Sequence, residues 1–109
     1  HAAAPPALKT VFYDLPEMLV NLNTKGRRPT YLKIKVSLEV ANEPAAKQLA
    51  ALRPRIIDHF QVYLRELRVD DLRGSAGIYR LREELLARGN SAVKPTKVEN
   101  GLFREVLVQ

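Results

Sequence analysis

The chain has 109 residues, room for one domain. Its content of 46% apolar and 28% charged residues is that of a folded globular protein, and no run of about 18 apolar residues offers a membrane span. Eighteen Lys and Arg against twelve Asp and Glu give a net charge of +6. That balance suits nucleic acid, an anionic membrane surface or an acidic protein as partner, without choosing among them.

Residues 1–10 are rich in Ala and Pro and have no periodicity, so they read as an extended linker, with His1 as a tag or linker remnant. Order begins at Val11. Met18, Val20 and Leu22 alternate with Leu19, Asn21 and Asn23, which predicts a short strand over 18–23. Thr24-Lys25-Gly26-Arg27-Arg28-Pro29 is punctuated as a turn. The clearest strand follows: Leu32, Ile34, Val36, Leu38 and Val40 point one way, and Tyr31, Lys33, Lys35, Ser37 and Glu39 the other. Strands 18–23 and 31–40 form a hairpin through the 24–30 turn.

Asn42-Glu43-Pro44 marks a helix start. Leu49, Leu52, Ile56, Phe60, Tyr63, Leu64 and Leu67 then make one apolar stripe, with Pro54 predicting a kink or restart inside it. An acidic link, Val69-Asp70-Asp71-Leu72-Arg73, precedes Gly74-Ser75-Ala76-Gly77, with Ser75 as a plausible cap. Ile78, Leu81, Leu85 and Leu86 mark a second helix, and Gly89-Asn90 is its expected stop. The final segment, Leu102 to Gln109, reads as a strand with apolar residues on both faces, as in the interior of a sheet. The order is β-β-α-α-β. It predicts an α+β domain over 11–109, a small mixed or antiparallel sheet packed against two main helices.

With no Cys, disulfides, thiolate metal sites and Cys nucleophiles are impossible, and the redox compartment stays open. His59 stands alone beside Asp58, which faces another side of its helix, so no triad or imidazole metal site is read there. Lys25, Arg27, Arg28, Lys33 and Lys35 place five cations and no acid between residues 25 and 35. They suit a phosphate-bearing or acidic partner; the plainer reading is that lysines on a wet strand face keep the sheet soluble. Gly74-Ser75-Ala76-Gly77, with Arg73 and Arg80 flanking it, has the layout of the loop with which KH domains clamp single-stranded RNA. Asp70 and Asp71 just upstream oppose phosphate, and a tight helix–helix turn is the favoured reading. Glu84 and Arg88 form an i,i+4 pair on a solvated helix face that carries both charge signs. No phosphate loop, metal box or nucleophile elbow is present, so the chain reads as a non-enzyme with no catalytic residues, no metal site and no cofactor.

One set of segments is more specific. Phe12-Tyr13-Asp14-Leu15-Pro16, Leu19-Val20-Asn21-Leu22, Tyr31 through Leu38, Tyr63-Leu64-Arg65-Glu66-Leu67, Asp71 through Gly77, Leu81 through Leu86 and the ending Phe103 to Gln109 occur in an order and spacing that resembles the FliL family of flagellar basal-body proteins, in its periplasmic domain. Gly89 departs from the family pattern, where a larger apolar residue would continue the helix. The resemblance implies a stomatin/SPFH-like fold and a longer protein of the bacterial inner membrane. Its single transmembrane helix and short cytoplasmic tail are not in this chain, and residues 1–10 would be its juxtamembrane linker. It further implies a non-enzymatic motor accessory that self-associates into a ring when tethered. That accessory associates with the MotA/MotB stator and supports stator stability, torque and swarming, without nucleic acid. With the charge outside the core, it makes Lys25, Arg27, Arg28, Lys33, Lys35, Arg55, Asp58 and Arg65 the expected subunit and stator contacts. The other reading is a KH-like module binding single-stranded RNA through Gly74-Ser75-Ala76-Gly77.

Overall fold

The strand Tyr31–Val40 is the spine of the molecule, as its alternation predicts. A computed structural model describes residues 10–26 and 28–109; the proposed linker and Arg27 lie outside or at the margin of the described residues. In chain order the elements are β1 (Val11–Asp14), β2 (Met18–Asn21), β3 (Tyr31–Val40), α1 (Glu43–Ala51), α2 (Arg53–Leu64), a 3-10 turn (Val69–Leu72), α3 (Gly74–Val93) and β4 (Asn100–Val108). The architecture is α+β, with an antiparallel four-stranded sheet.

β1 and β2 lie end to end along one edge of β3. β1 pairs with residues 37–40 and β2 with residues 31–34, and the Leu15 amide reaches the Val36 carbonyl between them. β4 takes the other edge, from Leu32↔Val108 to Glu39↔Asn100. Among the described residues β4 pairs with β3 alone, so it is an edge strand rather than the interior strand expected. Its apolar residues fall on both faces because of a bulge. Lys35 faces Glu105 and Val36 faces Phe103, so Arg104 is the extra residue and the alternation flips there.

Leu32, Ile34, Val36, Leu38 and Val40 are sealed against the helices, together with Leu49, Ile56, Phe60, Leu64, Leu81, Leu85 and Val93. Each such side chain contributes about 1.5–3 kcal/mol by leaving water. The Asn42 side chain caps α1, accepting from the Ala45 amide at 2.9 Å. The chain leaves helical geometry at Leu52 and restarts at Arg53, with Pro54 in the first turn of α2, where its missing amide costs no hydrogen bond. Arg53 Nε donates to the Tyr13 hydroxyl at 2.6 Å and ties the start of α2 to β1.

Two expectations about the second long helix are corrected. It begins at Gly74, not Ile78, so Gly74-Ser75-Ala76-Gly77 is its first turn and not a loop between helices. Gly74 has φ +70, the left-handed bend that turns the chain into the helix. Gly77 lies against the 3-10 turn so closely that a Cβ would stand 2.7 Å from the Asp71 carbonyl oxygen. Nor does the helix stop at Gly89-Asn90; it runs to Val93. Gly89 faces the Phe60 ring across the α2–α3 contact. Asn90 clamps the segment after the helix: its Oδ1 accepts from the Val98 amide at 2.7 Å and its Nδ2 donates to the Val98 carbonyl at 3.1 Å. A Gly-Asn pair that looks like a stop signal is spent on tertiary contacts.

Candidate binding surfaces

The helices cover one face of the sheet, and the other face carries charge. There Arg104 Nε donates to Ser37 Oγ at 2.9 Å, and Ser37 Oγ donates in turn to Asp14 Oδ1. Ser37 is completely buried, and the Arg104 guanidinium also lies over the Phe12 ring, 5.3 Å from its centroid. This relay joins β1, β3 and β4. Lys33 sits between Glu17 at 3.6 Å and Glu105 at 3.8 Å, and Lys35 is exposed beside them. Leu19, Tyr31 and Leu107 leave apolar surface on the same side.

A second charged region lies at the Tyr31 end of the sheet. The β2–β3 turn and the 3-10 link meet there, fixed by a 2.8 Å hydrogen bond from the Asn23 amide to the Leu67 carbonyl. Between them is a cleft of about 600 Å³ lined by Lys25 and Arg28 from the turn and by Arg68, Asp70 and Arg73 from the link. Arg73 pairs with Asp70 at 3.1 Å, and Arg68 stands 3.8 Å from Asp71, whose carboxylate also accepts from the Arg68 amide. Among the described residues neither Lys25 nor Arg28 has an ion-pair partner. Lys25 has φ 53, and its amide donates to Asn23 Oδ1 at 3.2 Å.

Of the predicted contact residues, the structure therefore brings Lys25 and Arg28 into a concave site and puts Lys33 and Lys35 on the open sheet face. Arg55 and Asp58 are exposed on α2, and Arg65 is exposed as its C-cap, all three on the helical side of the sheet. Arg65 there receives only a local contact, donating to Gln61 at 3.1 Å. Arg68 and Arg73, which complete the cleft, were not among the expected contact residues; they are some 40 positions from the turn, and no local pattern connects them.

On the far side of the link is an acidic hollow of about 470 Å³ lined by Glu66, Asp71, Glu83 and Glu84 with Arg80. Tyr63 borders it, and burial, with Glu84 and Asp71 nearby, pushes its hydroxyl above the ordinary tyrosine range. Arg88 pairs with Glu84 at 3.0 Å, the predicted i,i+4 contact, and lies over the Tyr63 ring at 4.9 Å. Among the described residues no group of His, Asp and Glu converges as a metal site would require.

A small α+β fold whose chemistry lies in charged surfaces, a cleft and an open sheet face defines an interaction module. Comparison with known proteins gives the family. The model of the flagellar basal body-associated protein FliL matches residues 12–109. A flagellar FliL protein of Caulobacter vibrioides is 44% identical over 112 residues, covering 98% of this chain and 55% of that protein. A flagellar protein FliL of Aquifex aeolicus is 27% identical over 106 residues, covering 97% of this chain and 65% of that one. The chain belongs to the FliL family, a flagellar accessory family and not an enzyme family. It spans little more than half the length of the Caulobacter relative.

Proposed function

We propose that residues 11–109 are the periplasmic domain of a flagellar motor accessory protein, and residues 1–10 its juxtamembrane linker. One transmembrane helix would anchor the whole protein in the bacterial inner membrane at the flagellar basal body. It acts without catalysis: it self-associates when tethered, associates with the MotA/MotB stator, and supports stator stability, torque and swarming. The observation that carries this reading is the family match over residues 12–109. A tethered scaffold works through surfaces, and tethering supplies the effective concentration that weak ring contacts need. The Lys25–Arg28 turn, Lys33 and Lys35 on the open sheet face, and Arg55, Asp58 and Arg65 on α2 are its contact candidates.

The test is charge reversal in cells at Arg27 with Arg28, and separately at Arg65, each at wild-type protein level. Reduced swarming and reduced retention of stator units are expected. Wild-type swarming with unchanged stator recruitment in both strains would overturn the assignment of these contacts. The RNA-binding reading loses its loop, because Gly74-Ser75-Ala76-Gly77 is helical and Gly77 is packed against the 3-10 turn.

A further inference from the structure

We infer that the cleft between the β2–β3 turn and the 3-10 link is a docking site for a short acidic peptide segment of a partner protein. This rests on the reading of the Lys25–Arg28 turn as a contact surface and names the chemistry of what that surface holds. Among the described residues, four cations, Lys25, Arg28, Arg68 and Arg73, line a volume of about 600 Å³ with a single carboxylate, Asp70, among them. Pockets of about 300–1,000 Å³ are the size that encloses a ligand and not merely a bound ion. The cations come from two segments, so the site exists only in the folded chain. The backbone hydrogen bond from Asn23 to Leu67 sets the distance between its walls.

Two features favour a peptide over nucleic acid and other phosphate polyanions. Among the described residues no aromatic side chain lines the cleft, so nucleic-acid bases have nothing there to stack on. Asp70, Asn23 and Thr30 stand among the cations and supply acceptors and donors for a peptide main chain between carboxylates. A dense phosphate array would meet Asp70 as repulsion.

The turn holds Lys25 in place: Lys25 and Gly26 both have positive φ, as the central residues of a tight hairpin turn do. Lys25 is held at φ 53, a conformation in which Gly or Asn would be easier. Its amide is secured by Asn23, and the ammonium is thereby delivered to the cleft without an acidic partner of its own.

The experiment is fluorescence anisotropy with the purified 109-residue chain and a labelled octaglutamate peptide at about 0.15 M salt, where charges outside the cleft are largely screened. Octaglutamine, phosphatidylglycerol vesicles and octauridylate are the comparison probes. Octaglutamate binding is expected to weaken about tenfold in Arg28→Glu and in Arg73→Glu, the equivalent of about 1.4 kcal/mol each. Lys47→Glu and Lys94→Glu make the same change in net charge at exposed positions outside the cleft and are expected to shift binding less than about twofold. Asp70→Asn strengthens binding. Lys25→Gly weakens it several-fold while the melting temperature does not fall, a combination that a purely structural lysine would not give. Equal weakening by reversals inside and outside the cleft would overturn the proposal, as would octaglutamine binding as well as octaglutamate. So would tighter, cleft-dependent binding of the vesicles or of octauridylate, which would make the site one for lipid or RNA. Because binding is read on the purified chain, it can fail while the motility test succeeds, and the reverse.

Discussion

On the outer face of the sheet, Arg104 donates to Ser37, Ser37 donates to Asp14, and Lys33 stands between Glu17 and Glu105. In the cleft at the Tyr31 end, Lys25 and Arg28 have no ion-pair partner among the described residues, and Asp70 and Asp71 pair with Arg73 and Arg68. Both regions are built from Lys and Arg side chains with carboxylates nearby. What differs is the neighbours that the topology supplies. Each outer-face cation, Lys35 aside, meets an acceptor on an adjoining strand or in the β1–β2 connection, so it helps to hold the strands in register. The cleft cations meet one another across a gap, so they repel slightly and leave a field that a partner can neutralise. A net charge of +6 says nothing about this division.

The contrast can be broken most forcefully from the other side of β3, which provides the yardstick. Ile34 is fully buried, and Ile34→Ala is expected to cost about 2–5 kcal/mol in urea unfolding. Ser37→Ala comes next. It removes the hydroxyl that links Arg104 to Asp14 in a fully enclosed position, and a loss of about 1–3 kcal/mol is expected. A double-mutant cycle with Arg104→Met should return a clear coupling energy. Additive losses would mean that the relay does not join the strands and that the outer face is no more structured than the cleft. Lys33→Ala is a smaller test. Both of its partners are about half exposed, so about 0.2–1 kcal/mol is expected at low salt, shrinking as salt is raised.

The sequence already discloses the parts of the fold that repeat at short range. Ten residues of strict alternation make β3 legible, Asn42 and Pro44 announce α1, and Pro54 marks the restart of α2. β1 is illegible because it is four residues long and breaks off at Leu15-Pro16 before a period can be counted. β4 misleads because the bulge at Arg104 puts apolar residues on what sequence alone takes for two faces. The two glycines of Gly74-Ser75-Ala76-Gly77 look like one motif but serve two unrelated needs, a left-handed entry and a close approach to Asp71. The candidate site is half legible for the same reason: Lys25 and Arg28 stand in an evident turn, but only the backbone contact from Asn23 to Leu67 brings Arg68 and Arg73 opposite them.

The smallest expected effect separates the regions by sign. Lys25 occupies the left-handed region, which costs an L-residue about 1–2 kcal/mol relative to an easier conformation. Lys25→Gly relieves that cost, and against it stands the greater freedom glycine gives the unfolded chain, about 0.5–1 kcal/mol. The mutual repulsion of the cleft cations is relieved as well. The net expectation is an unchanged or slightly raised stability, by about 0–1 kcal/mol, in contrast to the losses at Ser37 and Lys33. Urea unfolding of this variant beside Lys33→Ala measures the difference. A loss of more than about 1 kcal/mol in Lys25→Gly would show that the lysine stem is needed to hold the turn. The cleft cation would then be a structural group of the same kind as Lys33, and the distinction between satisfied and available charge would not hold at that position.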